Sequence, residues 1–157
     1  MEPKYSTAEV DGVLGFDETT MNEFREALRE VPGPPLVLGV IPSSVHGVFD
    51  YLLGGGAIAA PYLFGFADTT AGLVVQLQGC AVLLYSLWTD YSLGAIRIIP
   101  FRTHLWLDTL GALFLGASPK LFGFRRGAKF VLGLAAGELL IDVLSKRQST
   151  TERANPA

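Results

Sequence analysis

Residues 47–66 read GVFDYLLGGGAIAAPYLFGF, and this stretch decides how the rest of the chain is read. It holds 20 residues with Asp50 as its one charged side chain, and about 20 apolar residues are what a helix needs to cross a bilayer core. Working outward, Ala71–Trp88 gives 18 further residues without a charge. Leu105–Leu121 is apolar apart from Asp108 and Lys120, and Ala128–Leu144 apart from Lys129, Glu138 and Asp142. A buried soluble bundle would need polar outer faces, whereas these segments are apolar nearly all round. The expected fold is therefore an all-α membrane protein of four transmembrane helices.

The 157-residue composition agrees, with mean hydropathy +0.38, 50% apolar residues and only 17% charged, below the roughly 25% of a soluble domain. Charge is concentrated at the front: residues 1–40 carry eight carboxylates and three basic groups, while residues 41–147 carry six and eight. A net charge of −3 with no basic stripe argues against nucleic acid as a partner. The single cysteine, Cys80, excludes a disulfide scaffold, and its place in a span reads as a small buried residue. No basic stretch followed by an apolar run opens the chain, so no cleavable signal is expected. Basic residues tie across the two sides, with Arg97, Arg102, Lys146 and Arg147 against Lys120, Arg125, Arg126 and Lys129. Arg153 tips the reading to cytoplasmic termini in the cell (plasma or inner) membrane.

The chain also repeats itself. At an offset of 58 residues, Ile41-Pro42 recurs as Ile99-Pro100, His46 as His104, Asp50 as Asp108 and Gly79 as Gly137. Residues 41–89 against 99–147 share 12 identities in 49 positions, and these include prolines, glycines, a histidine and an aspartate rather than leucines alone. Two copies of one two-span unit enter the membrane from the same side, as parallel-repeat helical hairpins. The expected organisation is an acidic leader over 1–40, a first repeat over 41–98, a second over 99–147, and a polar disordered tail over 148–157.

Ala60-Pro61-Tyr62-Leu63-Phe64-Gly65-Phe66 and Ser118-Pro119-Lys120-Leu121-Phe122-Gly123-Phe124 resemble the repeat element of the SPW-repeat family, small membrane proteins of bacteria and archaea. The resemblance covers residues 41–147. Tyr62 and Lys120 stand where that motif has Trp, and only the second copy keeps the Ser. The resemblance implies a membrane domain with no established biochemical activity. Read from the residues, Pro61 and Pro119 end or kink a helix, Gly65 and Gly123 suit its left-handed close, and Phe64, Phe66, Phe122 and Phe124 mark an aromatic boundary. Tyr85, Trp88, Tyr91 and Trp106 read as an aromatic belt on the terminus side.

Candidate polar sites lie inside the spans. His46/Asp50 and His104/Asp108 are each four apart, on one face of a helix, with Ser44 and Thr103 as candidate N-caps. Such pairs either relay protons or hold a metal, or else serve the helix ends. Glu138 and Asp142 are also four apart, and helical rise places Asp142 near the depth of Asp108. Convergence of His104, Asp108, Glu138 and Asp142 inside the second repeat would make a cluster for a proton, a cation or a metal. Otherwise Glu138 bonds a neighbouring backbone group, or Gln76 or Gln78. Small residues at Gly54–Ala60, Gly111–Ala117 and Gly133–Gly137 favour close packing.

In the leader, Thr20-Met21-Asn22-Glu23 reads as a capping box opening an amphipathic helix over about 20–31, whose stripe is Met21, Phe24, Leu28 and Val31. Pro32-Gly33-Pro34-Pro35 ends it. No enzyme motif and no cofactor signature is present. Two function classes follow. One is a non-enzymatic membrane protein that acts by packing, as a homo-oligomer or as an accessory to a membrane or cytoplasmic partner docked by the leader helix, or lying on its own membrane domain. The other is a proton- or cation-handling protein built on the His, Asp and Glu residues, with a membrane metalloenzyme as its remotest variant.

Overall fold

A computed structural model describes Gly15 and residues 17–149. Among these residues the fold is all-helical, with five helices and no strand: α1 Glu18–Glu30, α2 Ser43–Leu63, α3 Thr70–Leu87, α4 Phe101–Leu121 and α5 Ala128–Leu144. Of these, α3 is both long and apolar enough to cross a membrane by itself. α5 has 17 residues, and α2 and α4 have 21 each but carry the histidines, aspartates and hydroxyls that dilute an apolar run. Of the tail expected from 148 onward, Gln148 and Ser149 are described, and Ser149 is buried; the remainder lies outside the described residues.

The duplication sets the geometry. Pro42 and Pro100 stand as N-caps with extended backbone and no side-chain cap, and each opens a 21-residue helix. Ser44 and Thr103 are thus inside their helices rather than capping them. A proline biases the residue before it to extended geometry, and Ile41 and Ile99 bridge in parallel to Ser145 and Thr89. The C-terminal end of each hairpin's second helix is thereby tied to the start of the other hairpin. Ile99 N donates to Trp88 O at 2.8 Å, and Lys146 N to Ile41 O at 2.9 Å. The result is a closed, pseudo-two-fold exchange between the repeats.

Pro61 and Pro119 sit inside the last turns of α2 and α4, which continue to Leu63 and Leu121 before closing. Gly65 and Gly123 adopt left-handed φ values of 68° and 67°, the conformation that a Cβ disfavours. Phe64 and Phe122 are exposed there, but Phe66 is buried. It packs against Phe130 with centroids 5.6 Å apart, because the Thr69-capped turn folds it back under α3.

α2 crosses α3 where Gly54 faces Gly79: a Cβ on Gly79 would lie 2.6 Å from Gly54 O. Gly55, Gly56, Gly133 and Gly137 have open space instead, so the Gly-x-x-x-Gly pair of α5 packs on nothing among the described residues. α3 packs on α4, while the corresponding seam between α2 and α5 opens into an apolar groove of about 480 Å³ lined by Gly56, Ala60, Phe64, Phe130 and Gly133. Cys80 is exposed on α3, not buried, since its face points away from the other helices.

α1 starts earlier than its sequence suggested. Asp17 is the N-cap, accepting from Thr20 N at 2.8 Å and Thr20 Oγ1 at 3.0 Å, so Thr20 lies in the first turn and no capping box forms around it. These two bonds hold the Asp17 carboxyl below its ordinary range. The helix lies on its own chain. Met21 is buried with Ile96 and Ile98, Thr103 Oγ1 donates to Leu28 O at 3.1 Å, and Trp106 Nε1 donates to Pro32 O at 2.6 Å.

Candidate functional site

Each Ile-Pro start places a histidine about one turn into its helix, and the aspartate follows one turn later. The pseudo-two-fold then brings both pairs together. His46 Nε2 lies 3.1 Å from Asp50 Oδ1 and 3.1 Å from Asp108 Oδ2. His104 Nε2 lies 3.2 Å from Asp50 Oδ2 and 2.9 Å from Asp108 Oδ2. The two Nε2 atoms are 3.2 Å apart. All four residues are buried, the histidines at 1% and 0% exposure, and their donor atoms fall within 4.8 Å of one another. The convergence thus runs across the repeats, through His46 and Asp50, and not within the second repeat alone.

The far side of each ring is fixed by a hydroxyl. His46 Nδ1 meets Ser145 Oγ at 2.6 Å, and His104 Nδ1 meets Thr89 Oγ1 at 2.8 Å. Each hydroxyl already spends its one proton on the carbonyl four residues back, Ser145 on Ile141 O at 2.6 Å and Thr89 on Tyr85 O at 2.7 Å. The hydroxyls therefore accept, and both Nδ1 atoms are N–H donors. Nε2 of each ring is then the atom turned toward the two carboxylates, an N–H donor when the ring is charged and a lone pair when it is neutral.

Two tyrosines complete the shell. Tyr85 OH donates to Asp108 Oδ1 at 2.5 Å and Tyr91 OH to Asp50 Oδ2 at 3.2 Å. Burial first, then the neighbouring Asp50 charge, pushes the Tyr91 phenol up, so it remains a donor. The sequence suggests an aromatic belt for both. Tyr91 is instead fully buried beside Phe101 and Leu105, and Gly47 exists to admit it, since a Cβ there would meet the Tyr91 ring at 2.4 Å.

Glu138 and Asp142 flank the quartet without joining its ring of contacts. Gln78 Nε2 donates to Glu138 Oε2 at 3.5 Å, and Thr109 Oγ1 to Asp142 Oδ2 at 3.1 Å. Both carboxylates line a cavity of about 10 Å³ shared with His46, Asp50 and Asp108. That is about the room of one water-sized sphere, enough for a small ion and too little for an organic substrate. Gly111 leaves space for the Gln78 amide, which a Cβ would meet at 2.4 Å. Pro61, Pro119 and the Phe-Gly-Phe segments lie at the opposite ends of α2 and α4 and take no part.

The hydroxyls Thr89 and Ser145 escaped sequence reasoning. They lie 56 apart rather than 58, so the ungapped repeat alignment pairs neither with the other; a hydroxyl just beyond each second helix was the available signal. Comparison with known protein families, with curated proteins and with solved structures finds no match for the chain.

Proposed function

We propose that this chain is a four-span integral membrane protein that takes up a small cation, a proton or a metal, at the His46/Asp50/His104/Asp108 centre. The observation carrying this reading is an inside-out distribution of polarity. Histidines, aspartates, Glu138 and Gln78 are buried, while Leu52, Leu73, Leu77, Leu84, Leu110, Leu113, Leu132 and Leu140 are exposed on all four long helices. In water such an exterior would be an aggregation hazard; in lipid it is the ordinary solvent-facing surface. Ionisable groups held inside it at high cost mark a functional site. The lengths of α2 to α5, 17 to 21 residues, suit a hydrocarbon core of about 30 Å. Basic residues Lys120, Arg125, Arg126 and Lys129 gather at one end of the bundle, in keeping with headgroup contact.

The resemblance to the SPW-repeat family forms part of this reading, supported by the two hairpins and the prolines in the last turns of their first helices. The accessory reading loses one of its motives, because the buried side of the leader helix is occupied by the chain's own α4 and Ile96–Ile98 segment. Proton uptake by detergent-solubilised protein, and ion flux in proteoliposomes, test the proposal. Wild-type protein should bind protons or pass cations in a manner lost in His104→Ala/Asp108→Asn. Identical titration and flux in the two proteins would return these residues to helix packing.

A further inference from the structure

We infer that the quartet is a closed four-ligand site for one divalent transition-metal ion, with Zn²⁺ the best match, bound by His46 Nε2, His104 Nε2 and one oxygen each of Asp50 and Asp108. This deepens the cation-handling reading and rests on it. The first argument is charge. With both Nδ1 atoms serving as N–H donors, loss of any Nε2 proton leaves neutral rings and a donor set of charge −2 from the two carboxylates, which a divalent ion cancels. Two imidazolium protons would also cancel it, but would put like charges on nitrogens 3.2 Å apart in a site shut off from water.

The second argument is shape. His46 Nε2, His104 Nε2 and Asp108 Oδ2 form a triangle with edges of 2.9–3.2 Å, against about 3.3 Å for one face of a tetrahedron with metal–ligand bonds near 2.05 Å, and Asp50 meets the two rings through different oxygens, Oδ1 at 3.1 Å and Oδ2 at 3.2 Å. An expansion of a few tenths of an ångström fits that face to the ion, and a turn of the Asp50 carboxylate brings one of its oxygens to the fourth corner, the four donors already lying within 4.8 Å of one another. The third is the outer shell. Ligating histidines hold their second nitrogen on an acceptor and ligating carboxylates are themselves hydrogen-bonded; Ser145, Thr89, Tyr85 and Tyr91 do both here. Two imidazoles disfavour Ca²⁺ and Mg²⁺, which prefer all-oxygen shells. Four protein ligands fill a tetrahedral ion, so the site retains or relays metal rather than activating water on it.

The test uses full-length protein in detergent, stripped with chelator and titrated calorimetrically with ZnCl₂ in buffers of different ionisation heat. Co²⁺ serves in parallel as a visible-absorption probe. One Zn²⁺ per chain, with proton release and the intense d–d bands of four-coordinate Co²⁺, is the expected result. The Asp108→Asn chain should lose the site. Thr89→Val and Ser145→Ala, which remove the Nδ1 acceptor together with that hydroxyl's bond to the carbonyl one turn back, should each weaken binding about 10–100-fold. Binding should also fall on acidification, because protons compete for the ligands, with Glu138, Asp142, Tyr85 and Tyr91 as the other titratable groups facing them. A protein that binds neither ion saturably, yet takes up protons in a His104-dependent way, overturns the metal site and leaves proton handling standing. Neither metal nor His104-dependent protons overturns both. Binding unchanged in Asp108→Asn and Thr89→Val places the metal elsewhere and also overturns the inference.

Discussion

At Gly47 the absence of a side chain is as consequential as any ligand. A Cβ would come within 2.4 Å of the Tyr91 ring, and that ring is fully buried while its hydroxyl orients Asp50. Gly47→Ala should therefore push Tyr91 outward and cost about 1–3 kcal/mol by overpacking. Reversible unfolding in detergent would show this as a lowered midpoint, whereas Gly56→Ala, with open space at its Cβ, should leave the midpoint near wild type. Tyr85→Phe tests the other carboxylate. It removes the donor to Asp108 Oδ1 without changing volume, so it should weaken ion uptake in the titration while helicity stays constant. Uptake equal to wild type would show that Asp108 needs no donor on its other oxygen.

At the scale of single helices, the short leader helix α1 gives a prediction about acid. Thr20 N–H and hydroxyl hold the Asp17 carboxyl below the 3.8 of an ordinary aspartate. A depressed folded value means the cap contributes fully above pH 3.8 and is lost as pH falls through the folded value. Circular dichroism difference spectra between wild type and Asp17→Ala should thus show extra helix in wild type at pH 5 that fades in stronger acid; a difference independent of pH would remove Asp17 from the cap. The same element shows what the sequence could and could not display. Thr20–Glu23 matches a capping box by residue type, yet Asp17 competes for the same amide three residues earlier in the chain and prevails. α2 and α4 were legible as apolar runs containing repeated His/Asp pairs, because helical spacing alone puts i and i+4 on one face. Which faces meet is a tertiary fact. Ile-Pro fixes the start of each helix, but only the cross-bridges Ile41–Ser145 and Ile99–Thr89 turn two separate pairs into one quartet and draw two hydroxyls and two tyrosines around it. Glu138 and Asp142, read by helical rise as members of the cluster, line its cavity and bond Gln78 and Thr109 instead. Rise fixes depth and leaves azimuth to packing.

For the whole molecule, duplication explains why one centre serves two hairpins: each repeat supplies one histidine and one aspartate, and each holds the other's histidine with the hydroxyl that ends its second helix. Neither repeat contains a complete site. If one ion is shared across the pseudo-axis, the two halves must be energetically equivalent at the ligands, though not outside them, since Tyr85 lies in α3, Tyr91 in the connection after it, and Glu138 and Asp142 both lie in α5. His46→Ala and His104→Ala should then reduce Zn²⁺ affinity by similar factors. The double variant should lose little more than either single one, because residues acting as one unit are strongly non-additive. Competition against a chromophoric chelator measures all three dissociation constants under one condition. A large loss for one histidine and none for the other would mean that only one repeat binds the ion, and that the symmetry of the fold does not extend to its chemistry.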